Sequence, residues 1–214
     1  MEKILVAGAH GTTGKKIVNL LNESQYFTPI AMVRKEEQKS FFASKGIATV
    51  MGDLEEDVTP VFNQPYDKVL FAAGSGGKKV VAVDQEGAKK MIDASKQNNI
   101  KKFVMLSSMG ADNPEEAEDL QDYLKAKHNA DVYLKESGLN YAIVRPGSLT
   151  NDELTNKIEL QEKLGKHGEI SRNDVAQTLV RSLNDDVANR ETFEIIKGDT
   201  LIADALNKVA VEEA

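Results

Sequence analysis

Short apolar, β-branched runs alternate along this chain with longer stretches whose apolar residues recur every three or four positions. The first kind predicts strands at Lys3–Ala7, Pro29–Val33, Ile47–Met51, Lys68–Ala72, Lys102–Leu106, Tyr141–Val144 and Thr192–Ile196. The second kind predicts helices at Lys15–Asn22, Val80–Gln97, Pro114–Ser137 and Asp174–Leu183, with a short helix after the last strand. The charged stretch Lys35–Lys45 follows the second strand. Gly138 is placed to end the third of these helices as a left-handed C′ residue. Strands that read as continuous apolar runs, separated by helices, imply βαβ units and a parallel sheet covered on both faces. Residues from about 148 to 171 are polar and strand-poor, and are expected to form a small cap rather than a second domain.

Length and composition narrow this picture. The chain has 214 residues, which suits one domain over residues 1–214. Without a single cysteine, disulfide frameworks, zinc fingers, iron–sulfur clusters and thiol nucleophiles are excluded. A formal net charge of −7 argues against general nucleic-acid binding. No apolar run approaches the roughly 20 residues that span a bilayer, and the N-terminus enters a strand-like run directly. A soluble, cytoplasmic protein with a small-molecule ligand is the expectation, with neither nucleic acid nor membrane as partner. The three histidines, His10, His128 and His167, lack the spacing of a metal site, so no metal is expected.

The first predicted strand runs into Gly8-Ala9-His10-Gly11-Thr12-Thr13-Gly14 and then a helix. The GxxGxxG spacing differs from the usual GxGxxG, yet the same physics applies. One glycine permits the tight turn, one lets backbone approach a pyrophosphate, and one lets the helix pack on the sheet. The helix N-terminus offers free N–H groups and a positive dipole end to the phosphates. Thr12 or Thr13 could cap that helix or bond a phosphate oxygen, and His10 reads as a loop residue beside it. No Gly-Lys-Ser/Thr follows, so this is not a Walker A loop. NAD-binding turns carry an acid about 20 positions further on. Here Arg34 and Lys35 occupy that place, and a guanidinium can grip a 2′-phosphate, so NADP(H) is expected over NAD(H).

Tyr123 and Lys127 stand four apart on a predicted helix and share a face. That helix follows a strand ending in Ser107-Ser108, at the carboxyl edge where open α/β sheets bind ligands. With these residues the chain resembles the short-chain dehydrogenase/reductase superfamily, and most of all its atypical, NAD(P)H-binding branch. The resemblance runs along essentially the whole chain. It rests on the glycine turn, Gly52-Asp53-Leu54, Ala72-Ala73-Gly74, Leu106-Ser107-Ser108, the Tyr123/Lys127 pair and Val144-Arg145-Pro146-Gly147.

The resemblance implies a single Rossmann-like, doubly wound α/β domain and hydride transfer between a nicotinamide and a carbonyl or similar acceptor. It implies Tyr123 as general acid, with Lys127 favouring the phenolate and bonding the nicotinamide ribose. Ser108, or alternatively Ser107, would orient the substrate oxygen. Asp53 and Leu54 would hold the adenine end, Ala72, Ala73 and Gly74 would line the cofactor, and Pro146 would border the nicotinamide. Asp84 stands where the family's usual tetrad has an Asn. The chain after Gly147 is too short for the substrate region that nucleotide-sugar epimerases carry. Two further readings differ in kind: a non-catalytic NADP(H)-sensing regulator, and a flavin-reductase-like protein in which Tyr123 is dispensable. Of the remaining charges, the acidic segment 115–119 is expected to stabilise a helix N-terminus. Asp152, Glu153 and Asp174 are expected as caps or surface charges. Arg145 is expected either to face substrate or to pair with a carboxylate.

Overall fold

The structure is a computed structural model that describes residues 1–117 and 120–209. Its strands are β1 (Glu2–Ala7), β2 (Phe27–Val33), β3 (Ala48–Met51), β4 (Lys68–Phe71), β5 (Lys102–Leu106) and β6 (Tyr141–Pro146). Beyond them lie β7 (Ser148–Thr150), β8 (Lys157–Gln161), β9 (Glu169–Ser171), β10 (Glu191–Lys197) and β11 (Thr200–Leu201). The helices are α1 (Thr12–Asn22), α2 (Glu36–Ala43), α3 (Ala88–Gln97), α4 (Gln121–Glu136), α5 (Arg172–Arg181) and α6 (Ile202–Val209).

Nine strands form one sheet in the order β11-β8-β10-β6-β5-β4-β1-β2-β3. From β3 to β10 every pairing is parallel, and β8 and β11 add on antiparallel. The order reverses between β1 and β4, which is the doubly wound arrangement with a crevice at that point. Side chains alternate between two buried layers, as a two-sided sheet requires. Ile4 and Val6 join Ile17, Leu21, Phe42, Leu179 and Leu206, under α1, α2, α5 and α6. Leu5 and Ala7 join Val69, Phe71, Met91, Ile92 and Leu134, under α3 and α4. Every predicted strand is present, and the predicted C′ glycine, Gly138, has φ +82°.

Three expectations need correction. The segment 148–171 is not strand-poor. It holds β7, β8 and β9, and β8 pairs with β10 inside the main sheet while β7 and β9 form a separate parallel pair. Ile158 supplies the buried anchor of β8 and Leu160, two positions on, packs partly buried against the same core, a pattern too short to signal a strand. The predicted helix over Val80–Gln97 is wound as a π-helical segment, Val80–Gly87, before α3 begins at Ala88. The predicted helix from Pro114 is a 3-10 turn at Pro114–Glu116, with α4 beginning only at Gln121 after Leu120 at φ +63°. Of the acidic segment there, Glu118 and Asp119 lie outside the described residues, and Glu115 accepts a hydrogen bond from Gln121.

At the opposite, amino end of the sheet, Lys68 and Lys102 are paired in register and both buried. Lys68 Nζ meets Glu2 and Asp185 at 2.6 Å each and the Leu183 carbonyl at 2.8 Å. Lys102 donates to the carbonyls of Asn184 and Val187 and to Asn189 Oδ1. Burial, and then the charge of Lys68, pull the Lys102 ammonium down to about 8. Together the two lysines tie the connection after α5 to the sheet. A hollow of about 270 Å³ beside Lys68, lined by Met1, Tyr26, Phe27 and Asp185, lies at this end, away from the glycine turn.

Candidate functional site

The carboxyl ends of β1 and β4 meet at the crevice. Gly8 has φ +79°, and a Cβ there would stand 2.5 Å from Ala73 Cα, so only glycine lets the turn after β1 approach the turn after β4. Gly14 is buried, and a Cβ on it would lie 2.1 Å from the Gly8 carbonyl oxygen, so α1 packs directly on its own entry turn. Gly11 differs from both. It is the exposed N-cap of α1 at φ −64°, with the nearest atom to its Cβ position, Gly8 O, at 3.1 Å. No side chain caps α1, and its first turn holds no acidic residue. Thr13 is buried and Thr12 exposed, and neither caps the helix. The exposed N-terminus of α1 therefore keeps its N–H donors and positive dipole end for an outside anion.

The adjoining groups complete a groove. Arg34 and Lys35 follow β2, are exposed, and carry side chains with no ion-pair partner among the described residues. Arg34 is held by its backbone N–H, which donates to Gln38 Oε1 at 2.9 Å. His10 packs edge-on against Phe41, and Lys15 and Lys45 place their ammonium groups 4.8 and 4.7 Å from the same ring centre. Partial burial, with Lys15 adding to it, holds the His10 imidazole below its ordinary value. Leu54 is buried, and Asp53 Oδ1 accepts from the Glu55 N–H at 3.1 Å. Lys90 fixes this loop by donating to the carbonyls of Leu54 and Glu56. Ala72 donates its N–H to Ala7 O, Ala73 is buried, and Gly74 is exposed beside Asp84. Tight glycines and an uncapped helix start fit the pyrophosphate of a dinucleotide, and two exposed cations stand at the end of β2.

Beyond the crevice, α4 presents Tyr123, Lys127 and Asp131 on one face, each one turn apart. Lys127 Nζ lies 3.3 Å from the Leu106 carbonyl at the end of β5 and 3.4 Å from Asp84 Oδ1. It also sits 5.7 Å from the Tyr123 ring centre. Both charged side chains are buried, at 4% and 0% exposure for Lys127 and Asp84. Asp84 reaches inward from the π-helical segment, and its second oxygen accepts the Ser75 N–H at 3.0 Å. π-Helical winding is rare and frequently lies at functional sites.

Ser107 and Ser108 separate clearly. Ser107 is buried and donates to Asp131 Oδ2 at 2.9 Å, so its hydroxyl is engaged. Ser108 is only half-buried, and its hydroxyl bonds the Met109 carbonyl at 3.2 Å. Arg145 takes the carboxylate alternative: its Nε and Nη2 both stand 2.9 Å from Asp131 Oδ2. Burial pushes the Asp131 carboxyl upward, against the pull of Arg145 and the Ser107 bond. Sequence reasoning missed Asp131, although its spacing from Tyr123 and Lys127 could have found it. Pro146 is buried and accepts the Met109 N–H at 3.0 Å, which joins the ends of β5 and β6.

Other expected residues are structural. Ser171 caps α5, its hydroxyl oxygen accepting the Asp174 N–H and its hydroxyl donating to Asp174 Oδ2, and Asp174 also accepts the N–H groups of Thr155 and Asn156. Asp152 accepts from Thr150, while Glu153 is exposed. His128 bonds the Ala111 carbonyl, and His167 is exposed. Among the described residues no cluster could hold a metal ion, and no helix is long and apolar enough to cross a membrane.

The doubly wound sheet and its glycine crevice define a Rossmann-fold, nicotinamide-dinucleotide-binding protein of the atypical short-chain dehydrogenase/reductase kind. The sequence profile of the NAD(P)H-binding family matches residues 8–186, and the chain belongs to that family. It is 39% identical over 215 residues to an uncharacterized sugar epimerase, YhfK, of Bacillus subtilis, covering 97% of this chain and 100% of that protein. A solved Bacillus halodurans protein, provisionally described as an NAD-dependent epimerase/dehydratase, superposes with a TM-score of 0.90 at 36% identity. The match covers 97% of this chain and 100% of the other. An NAD(P)H azoreductase of Xenophilus azovorans is 28% identical over 190 residues, spanning 84% of this chain and 63% of the azoreductase.

Proposed function

We propose that this protein is an NADPH-dependent oxidoreductase that passes hydride to a small-molecule acceptor, a carbonyl, quinone or flavin. One observation carries the reading: Lys127 reaches the end of β5, two residues before Ser108, with Tyr123 one turn earlier on the same helix face. On this reading a proton donor, its cationic neighbour and the half-buried Ser108 hydroxyl serve the acceptor from the carboxyl end of β5. The azoreductase relative supports a reductive activity, and the segment 148–171, whose β8 is taken up by the main sheet, leaves little chain to enclose a nucleotide sugar.

When bound, the cofactor supplies the hydride. The chain's own residues do the rest. The α1 N-terminus and the backbone at Gly11 bind the pyrophosphate, and Arg34 with Lys35 binds the 2′-phosphate. Asp53 and Leu54 hold the adenine end, Ala72, Ala73 and Gly74 line the crevice, and Pro146 borders the nicotinamide. Ser108 orients the acceptor oxygen. The Tyr123 hydroxyl delivers a proton to it, and the Lys127 ammonium, 5.7 Å from the Tyr123 ring centre, steadies the charge left behind and would hold the nicotinamide ribose.

NADPH oxidation measured against one quinone, one flavin and one aldehyde tests the reading. Turnover of at least one supports it. Tight NADPH binding with no turnover on any acceptor overturns it in favour of a redox-sensing regulator.

A further inference from the structure

Lys127 does not stand in the site as a free cation. Its ammonium lies 3.4 Å from Asp84 Oδ1, and that oxygen has no hydrogen-bond partner among the described residues. One turn along α4, Asp131 is paired with Arg145, and both are buried. Four buried charges, Asp84, Lys127, Asp131 and Arg145, therefore sum to zero beneath the place where an acceptor would sit. In a dry interior a counter-charge at this distance offsets a large part of the potential that the ammonium would project a few ångströms further on.

We propose that Asp84, by offsetting Lys127, restricts the pocket beside Tyr123 to neutral or cationic conjugated acceptors and sets it against acceptors that become localised anions. This inference deepens the oxidoreductase reading and rests on it. Hydride transfer oxidises the dihydronicotinamide and adds two electrons and one hydrogen to the acceptor. An isolated aldehyde then holds the electron pair on one oxygen until the Tyr123 hydroxyl gives up its proton, and the resulting phenolate relies on Lys127 for compensation. A quinone spreads the same pair over a ring. A conjugated iminium cation becomes neutral on accepting hydride and requires no proton. Asp84 acts through Lys127 and is a positioning residue. Its charge, rather than its shape, sets the preference.

Asp84→Asn keeps the size and an oxygen able to accept the Ser75 N–H while removing the charge. Two measurements read the result. In turnover, the ratio of kcat/KM for benzaldehyde to that for benzoquinone rises about tenfold or more in Asp84→Asn. Without turnover, calorimetry on the NADP-bound protein shows benzoate binding strengthened relative to benzamide by a similar factor. The double variant Asp84→Asn/Lys127→Met, neutral like the unmutated pair, returns the benzoate-to-benzamide ratio to within about threefold of the unmutated value. This arm stands even where Asp84→Asn alone does not fold. Unchanged ratios in Asp84→Asn, or a double variant whose ratio departs well beyond that range, overturn the proposal. So does an unmutated protein that reduces isolated aldehydes as fast as quinones. A protein that binds NADPH and reduces nothing overturns the oxidoreductase reading instead, while the benzoate arm still reads the charge.

Discussion

Lys127 Nζ and Asp84 Oδ1 stand 3.4 Å apart, each side chain sealed from solvent, and they join the middle of α4 to the π-helical segment after β4. Removing one member of a buried pair leaves an uncompensated charge, which costs about 3–5 kcal/mol, whereas removing both can be nearly neutral. Lys127→Ala should therefore lower the urea midpoint markedly and weaken NADPH binding as well. Asp84→Asn/Lys127→Met should recover most of the lost stability. Equal midpoints for Lys127→Ala and the unmutated protein would show that the pair carries no stability.

On the proposed reading, cofactor choice turns on Arg34 and Lys35, both exposed and unpaired among the described residues. A charge-assisted contact to phosphate is worth roughly 1.5–3 kcal/mol, so NADPH should bind at least about tenfold more tightly than NADH. Arg34→Ala should erase most of that gap. Calorimetry on both cofactors checks it, and equal affinities in the unmutated protein would refute the assignment.

The glycines of the turn should fail in different ways. A Cβ at Gly14 meets Gly8 O at 2.1 Å, so Gly14→Ala should destabilise the fold itself. Gly11 is exposed, with its nearest neighbour at 3.1 Å, so Gly11→Val should leave a folded chain by circular dichroism yet abolish dinucleotide binding. Normal NADPH binding by Gly11→Val would mean that the turn is not the cofactor site.

Tyr123→Phe removes the hydroxyl and keeps the ring. General acid catalysis contributes roughly 10²–10⁴-fold, so turnover on any accepted carbonyl should fall by about that factor with NADPH affinity nearly unchanged. A flavin-reductase-like protein would instead keep its flavin reduction almost intact. Single-turnover NADPH oxidation separates the two outcomes, and undiminished carbonyl reduction in the Phe variant would remove Tyr123 from the chemistry.

Acid should loosen the amino end of the sheet. The Lys3 N–H and Lys101 bonds hold the Asp67 carboxyl below its ordinary value, and the Lys68 bond does the same for Asp185. Both carboxyls thus contribute stability that is fully present above the unfolded value near 4 and is lost as pH falls through the folded values. Urea midpoints should drop below pH 4, and the drop should be smaller in an Asp67→Asn/Asp185→Asn variant. Identical acid profiles would show that these pairs do not govern it.

Much of this protein was legible from sequence because its signals are local. A run such as Ile4-Leu5-Val6-Ala7 needs only its unbroken apolar character to declare a strand buried on both faces, and Gly8 and Gly14 declare a turn wherever that strand leads. The sequence by itself therefore determined the strand–helix alternation, the doubly wound sheet, the dinucleotide turn, and the shared face of Tyr123 and Lys127. Tertiary structure decided what depends on partners far apart in the chain. Neither the π-helical winding that aims Asp84 at Lys127 nor the pairing of Asp131 with Arg145 follows from spacing, because buried charges are tolerated only where a distant segment supplies the counter-charge. The same holds for β8, whose single buried Ile158 becomes a strand only because β10 offers an open edge, and for Lys68 and Lys102, which look like surface lysines until the chain around 183–189 folds its carbonyls over them.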